Sequence, residues 1–182
     1  MGALPTFRRL ARPIAERVGV KFDERCFFVL EVDADALAGA VITVSNASKQ
    51  AVERTAFAVE ERRIVLSHDL FERRLSAAFE ARSIAHNVPI IGASGKEWEI
   101  DVGITTSGHV DRLFEFVTPR SASVAAAIMK FTDIRASVQP PKTAAVLSDR
   151  SRTEAPLVAL LSRVAGAAID AAAEPEVYRR AA

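Results

Sequence analysis

Two adjacent strand patterns joined by a short turn most constrain what this chain can fold into. Residues 98–105 alternate, so that one set of side chains faces one way and the intervening Glu99, Asp101 and Gly103 face the other. Ser107 and Gly108 supply a turn, and residues 112–118 alternate again as a return strand. We therefore predict an antiparallel hairpin here, with one apolar set made of Trp98, Ile100, Val102 and Ile104.

Elements with different periods flank this hairpin. Apolar residues recur at helical spacing over residues 68–82, and a compact apolar run at 88–91 predicts a strand. After the hairpin we predict a helix over 121–136, a buried strand over 143–147, a helix ending near 164 and a short strand over 167–170. The order predicts an α/β domain with a mixed central sheet and helices on both faces.

The N-terminal part has weaker and shorter patterns. We predict a helix over residues 6–18, strands over 25–32, 41–44 and 63–67, and a helix over 48–59 that begins after Ser45 and Asn46. These assignments divide the chain into a small α+β N-terminal region, residues 1–65, and a core over residues 66–182.

Composition restricts the class of protein. Apolar residues make up 49% of the chain, enough for a real core, yet no apolar run approaches the roughly 20 residues that span a bilayer. The single cysteine, Cys26, cannot form an internal disulfide, which suits a reducing cytoplasm, and its neighbours Phe27 and Phe28 predict that it is buried. We expect a cytoplasmic protein without a membrane span. The formal net charge of +1 does not by itself indicate a nucleic-acid binder.

Two carboxylates on the hairpin form the most informative polar constellation. Asp101 lies on the first strand and Glu115 on the second, so their side chains can converge on one hard cation. Mg²⁺ prefers oxygen ligands and leaves room for water and phosphate oxygens. An alternative is that both acids are solvated, or paired with Arg112 or Lys96.

The predicted α-β-β-β-α-β order, with Asp101 on the second strand and Glu115 on the third, resembles the PD-(D/E)XK, or restriction-endonuclease-like, superfamily. The resemblance implies a restriction-endonuclease-like fold, a Mg²⁺ site at the two acids and cleavage of DNA. The superfamily motif has lysine two residues after the second acid, where this chain has Val117. Lys130 on the following helix can take that role, since the lysine has moved there in some members. In the superfamily pattern, an acid on the preceding helix, here Glu72 or Glu80, would complete the site.

Further segments lie within residues 85–150: Val88-Pro89-Ile90-Ile91-Gly92-Ala93-Ser94-Gly95, Trp98-Glu99-Ile100-Asp101, Phe114-Glu115-Phe116-Val117-Thr118-Pro119, Lys130-Phe131-Thr132-Asp133-Ile134-Arg135 and Val146-Leu147-Ser148-Asp149. Together they resemble an uncharacterised domain family of bacteria and phages that is related to the same superfamily. This second resemblance implies a fold rather than a reaction, and we expect a nuclease of this kind to act in phage or mobile-element conflict.

Three basic residues are candidates for contacting a nucleic-acid backbone: Lys96 in the turn before the hairpin, and Arg120 and Arg135 at the two ends of the following helix. A different class of function stays open, because Val117 and the near-neutral charge also suit a catalytically inactive protein that only binds DNA or a protein partner, as an antitoxin, inhibitor or regulatory subunit does. Alanine-rich helix faces allow close packing, so a homodimer is compatible with both functions.

Overall fold

The computed structural model of this chain describes residues 2–181. They form two compact units, Met1–Arg63 and Ile64–Ala182, and the division falls inside one long helix. The predicted boundary at residues 65 and 66 lies in the same helix.

The first unit is built on a helix and a small hairpin. Helix α1 (Ala3–Val18) ends at Gly19, whose φ of 74° lies in the left-handed region that glycine adopts without strain. Strands β1 (Lys21–Phe22) and β2 (Phe27–Phe28) pair antiparallel, so only two residues of the strand predicted over 25–32 are extended. Cys26 is exposed, which corrects the prediction of a buried thiol. Its sulfhydryl donates to Asp23 in the turn before β2, which draws the side chain away from the core.

Helix α2 (Leu37–Ala78) is the largest departure from the sequence prediction. The strands predicted over 41–44 and 63–67 are wrong, because both segments lie within this helix, which also joins the two helices predicted over 48–59 and 68–82. No proline occurs between Pro13 and Pro89, so no residue forces a break. Short β-branched runs do not distinguish a strand from a turn of helix by themselves.

The second unit contains a five-stranded sheet in the order β3-β4-β5-β6-β7. Strands β3 (Ile84–Ile91), β4 (Glu97–Thr106) and β5 (His109–Val117) are antiparallel, whereas β6 (Lys142–Leu147) and β7 (Ala168–Asp170) extend β5 in parallel. Helix α3 (Ser121–Arg135) connects β5 to β6, α4 (Ala155–Ala165) connects β6 to β7, and α5 (Pro175–Ala181) follows. The prediction of a mixed α/β sheet flanked by helices is confirmed.

Alternate residues of β6 divide the core between the two faces of the sheet. Ala144 and Val146 pack with residues of α2 and α5, including the fully buried Phe71 and Tyr178. Ala145 and Leu147 pack on the other face with residues of α3 and α4. Among residues 2–181, no helix combines the length and apolar character that crossing a bilayer requires.

Strand β4 does not keep a single apolar face, contrary to the prediction. Val102 and Ile104 belong to the cluster on the α2 side, whereas Ile100 packs with Leu113 and Ile134, and Trp98 packs against that same cluster. The change occurs at Asp101, which lies opposite Asn87 on β3, a residue with a φ of 51°. The regular alternation of β4 is therefore interrupted at Asp101, so that Ile100 and Val102 lie on opposite faces of the sheet.

Candidate metal centre

The two predicted acids lie where β4 and β5 stop pairing through their backbones. The backbone pairing of β4 with β5 runs from Thr106–His109 to Val102–Phe114. Beyond Val102, backbone amides of the two strands donate to carboxylate side chains instead of to carbonyls of the neighbouring strand. The amide of Asp101 donates to Oε2 of Glu115 at 3.2 Å, and the amide of Phe116 donates to Oδ2 of Asp101 at 2.7 Å. We call this place the strand fork, formed by Asp101, Glu115 and Phe116.

Lys130 closes the strand fork from helix α3. Its Nζ lies 2.5 Å from Oε1 of Glu115 and donates to the carbonyl of Glu99 at 2.6 Å. The side chains of Lys130 and Glu115 are only 20% and 10% exposed. Although Lys130 lies on a helix rather than two residues after Glu115, the fold brings its ammonium to the second acid.

Burial and the neighbouring groups shift the pKa of Glu115, and the net shift is upward. Removal of the carboxylate from water raises the pKa of Glu115, and the nearby charge of Asp101 raises it further. The hydrogen bond and charge of Lys130, together with the Asp101 amide, lower the same pKa without cancelling the increase. A cation placed near both acids would reduce the repulsion between Asp101 and Glu115 that contributes to this upward shift of the pKa.

The sequence also allowed Asp101 and Glu115 to pair with Arg112 or Lys96. In the structure, these two basic residues have other partners. Arg112 donates to the Arg179 carbonyl at 2.7 Å and contacts Asp111, whereas Nζ of Lys96 lies over the ring of Trp98. The acids instead face each other and Lys130.

The donor set at the strand fork fits Mg²⁺, which is commonly held by one or two protein carboxylates with water and phosphate oxygens completing its shell. Oδ1 of Asp101 accepts no hydrogen bond from the part of the chain that the structure describes, so it is available as a ligand. No group of three or more His, Cys, Asp or Glu side chains among residues 2–181 is arranged to hold a metal. Any cation here would therefore depend on two acids and on non-protein ligands.

The acids on the preceding elements have other partners. Glu72 of α2 faces the imidazoles of His68 and His86, at 3.9 and 3.7 Å from its Oε1. Glu80 pairs with Arg82. The spacing of His68 and Glu72, four residues apart on a helix, was visible in the sequence, but the approach of His86 from β3 was not.

The three predicted nucleic-acid contacts lie in different surroundings. The Lys96 ammonium is 3.8 Å from the centre of the Trp98 ring, and Arg120 is exposed just before the first turn of α3. Nη1 of Arg135 donates to the carbonyls of Arg163 and Val164 at the end of α4. Arg135 is thus engaged with α4, and no contact joins it to the strand fork among the described residues.

Sequence reasoning missed the role of Asp133, one helical turn beyond Lys130. Its carboxylate accepts from the indole of Trp98 at 2.7 Å and from the hydroxyl and amide of Ser94 at 2.7 and 2.8 Å. Gly92 is required beneath it, since a Cβ there would lie 2.0 Å from Oδ2 of Asp133. This network fastens α3 to the turn between β3 and β4 and so helps to hold Lys130 over the strand fork.

No protein-family model, no curated protein and no solved structure matches this chain. The resemblance to the nuclease superfamily therefore stays a prediction.

Proposed function

We propose that this protein is a Mg²⁺-dependent phosphodiesterase that acts on DNA. The observation that carries the proposal is the convergence of Asp101, Glu115 and Lys130, from three different elements, on a partly buried point between two diverging strands. The combination of two acids and an ammonium group suits a reaction in which negative charge develops on a phosphate.

Each residue has a role that follows from its contacts. Asp101 and Glu115 would hold the cation, and their backbone and ammonium partners fix the two carboxylates before it binds. The cation, when bound, would supply charge to the phosphate and lower the pKa of a coordinated water. Lys130 has one N–H beyond its two present bonds, and this proton can point to a phosphate oxygen.

The first test is calorimetric titration of Mg²⁺ and Mn²⁺ into the wild-type protein and the Asp101→Ala/Glu115→Ala variant. We expect binding to the wild type and none to the variant. The matched control is Glu97→Ala/Asp111→Ala, which removes two exposed acids from the same strands and the same net charge. Equal binding by the wild type and the Asp101→Ala/Glu115→Ala variant would disprove the metal site.

The second test is cleavage of supercoiled plasmid in Mg²⁺ or Mn²⁺. We expect Asp101→Ala to abolish cleavage and Lys130→Met to reduce it on the order of a hundredfold or more, as for loss of one group that stabilises transition-state charge. Circular dichroism checks that each variant is folded. Unchanged cleavage by the Asp101→Ala variant would exclude the mechanism.

A catalytically inactive binding protein is the second candidate, and one contact favours it. The Lys130 ammonium already neutralises Glu115, so the strand fork is stable as a structural ion pair without any metal. DNA binding that weakens with salt but does not respond to Mg²⁺ would support this alternative. Its biological setting, phage or mobile-element conflict, is proposed only from the resemblance to the bacterial and phage family.

A further inference from the structure

We propose that a second site, a basic pocket at the start of β6, binds a phosphate group. The pocket has a volume of about 400 Å³ and is formed by the end of α3, the start of β6, the end of α4 and helix α5. Its charged lining residues are Arg135, Lys142 and Arg180, and no acidic side chain of residues 2–181 lines it. We call it the basic pocket.

Two of its cations have no partner in the part of the chain that the structure describes. Neither the ammonium of Lys142 nor the guanidinium of Arg180 makes a hydrogen bond or ion pair there, and both residues are exposed. Most other basic side chains of the second unit contact an acid, an aromatic ring or a carbonyl, as Arg74 does with Glu174. The positive charge of the pocket is therefore left for a ligand.

Arg135 supplies a rigid wall to the basic pocket. Nη1 of its guanidinium donates to the carbonyls of Arg163 and Val164, both at 2.8 Å, which leaves the protons on Nη2 and Nε available. Gly166, at the end of α4, has a φ of 82°, and a Cβ there would lie only 3.3 Å from the Thr143 carbonyl, so the backbone of this wall favours glycine. A guanidinium already held in place loses little entropy when it binds an anion.

Phosphate is the ligand class that best fits these groups. Three cations from separate elements surround a concave space, and arginine forms paired, charge-assisted hydrogen bonds with phosphate oxygens. A cationic ligand is excluded by charge. The phosphate can belong to a nucleic-acid backbone, in which case the pocket deepens the proposed function, or to a free nucleotide or inorganic phosphate, in which case it is independent of that function.

The test compares the wild-type protein with Lys142→Gln/Arg180→Gln. Binding of a fluorescein-labelled duplex DNA is followed by fluorescence anisotropy over a series of salt concentrations, and binding of pyrophosphate and ADP by calorimetry. The control Arg9→Gln/Arg25→Gln removes the same charge from exposed arginines of the first unit that do not line the pocket. Both changes replace exposed side chains, and circular dichroism verifies folding.

For a DNA phosphate, we expect the Lys142→Gln/Arg180→Gln variant to lose affinity for DNA roughly tenfold or more, and its slope of log K against log salt to fall by about one to two. For a free phosphate, the variant loses binding of pyrophosphate or ADP while DNA binding is unchanged or absent in both proteins. Either result, with the control unaffected, supports the basic pocket. Equal binding of every probe by the wild type and the variant, or no binding by the wild type, overturns it.

These outcomes are separate from those of the metal centre. Loss of Mg²⁺ binding requires changes at Asp101 and Glu115, whereas loss of phosphate binding requires changes at Lys142 and Arg180. If the wild type binds phosphate but not Mg²⁺, the proposed phosphodiesterase fails and the basic pocket stands.

Discussion

Glu115 is the residue whose surroundings are most unusual for its type. It is buried, shares the strand fork with a second acid and has the Lys130 ammonium as its charged partner. Burial and the charge of Asp101 raise its pKa above the ordinary value of 4.5. The folded protein thus holds the Glu115 proton more tightly than the unfolded chain does. This group's contribution to stability falls as pH rises from 4.5 through the folded pKa.

We predict opposite shifts of this pKa on replacing its two charged neighbours. Asp101→Asn removes a negative charge and lowers the pKa of Glu115, whereas Lys130→Met removes the ammonium and raises it. Nuclear magnetic resonance of the side-chain carboxyl carbon, recorded with a metal chelator present, measures both. Lys49→Met, at an exposed residue of the first unit, is the control. A shift of the Glu115 pKa in the same direction in both variants would contradict its contacts with Asp101 and Lys130.

Asp133 shows the opposite behaviour. Its hydrogen bond from Trp98, followed by those from Ser94, lowers the pKa of Asp133 below the ordinary value of 3.8. The stabilisation is present above that value and is lost as pH falls through the lower folded pKa. Because Trp98 is the only tryptophan, we predict an acid transition in its fluorescence, and Asp133→Asn should remove the transition and lower the melting temperature. Asp111→Asn serves as control, and an unchanged transition in Asp133→Asn would contradict the network.

Among the elements, helix α2 contributes to the core of the second unit through its last turns. Phe71 and Leu75 are fully buried beneath the sheet, and the Phe71 ring stacks near those of Phe116 and Tyr178. Earlier in the same helix Phe57 is 58% exposed. One helix therefore presents the same residue type in two opposite environments.

We predict that Phe71→Ala lowers the free energy of unfolding by about 3–5 kcal/mol, because it removes apolar contacts and leaves a cavity. Phe57→Ala should change it by less than about 0.5 kcal/mol, as is usual for exposed positions. Urea denaturation followed by circular dichroism measures both. Similar losses of stability in the two variants would contradict the packing of Phe71, but not Phe57, in the core.

At the scale of the whole molecule, five exposed apolar residues of helix α2 in the first unit bear on the homodimer that the sequence allows. Each of them is more than half exposed, and such concentrations of apolar surface usually mark an interaction site. Val41 and Val52 are eleven residues apart, about three helical turns, and so lie on one face of α2. These exposed large apolar residues of α2 are Leu37, Val41, Ile42, Val52 and Phe57.

We predict that the protein is a dimer in sedimentation equilibrium and that Val41→Lys/Val52→Lys shifts it towards monomer while its circular dichroism is retained. Val138→Lys, at a residue 99% exposed between α3 and β6, should leave the assembly unchanged. A wild-type protein that stays monomeric at every concentration would disprove the homodimer.

Local patterns in the sequence were sufficient for much of the second unit. The two-residue period of residues 98–105 and 112–118 and the helical period around Phe71 and Phe131 identify elements because each is half-buried, which imposes a pattern on the chain. The same patterns located Asp101 and Glu115 on neighbouring strands. They failed over residues 41–44 and 63–67, where the helix has no consistently buried face and the β-branched residues are ambiguous.

By itself, then, the sequence determined the mixed sheet, its flanking helices and the two acids of the hairpin, because these depend on short-range periodicity and on strand adjacency. Only the tertiary structure decided that α2 is continuous, that β4 changes faces at Asp101 and that Lys130 reaches Glu115. It also decided that Asp133 fastens α3 to a distant turn and that Arg135 joins Lys142 and Arg180 around one pocket. The physical reason is that most of these features bring together residues that are distant in the chain, such as Lys130 with Glu115 and Trp98 with Asp133, and their geometry depends on how helices pack on a twisted sheet.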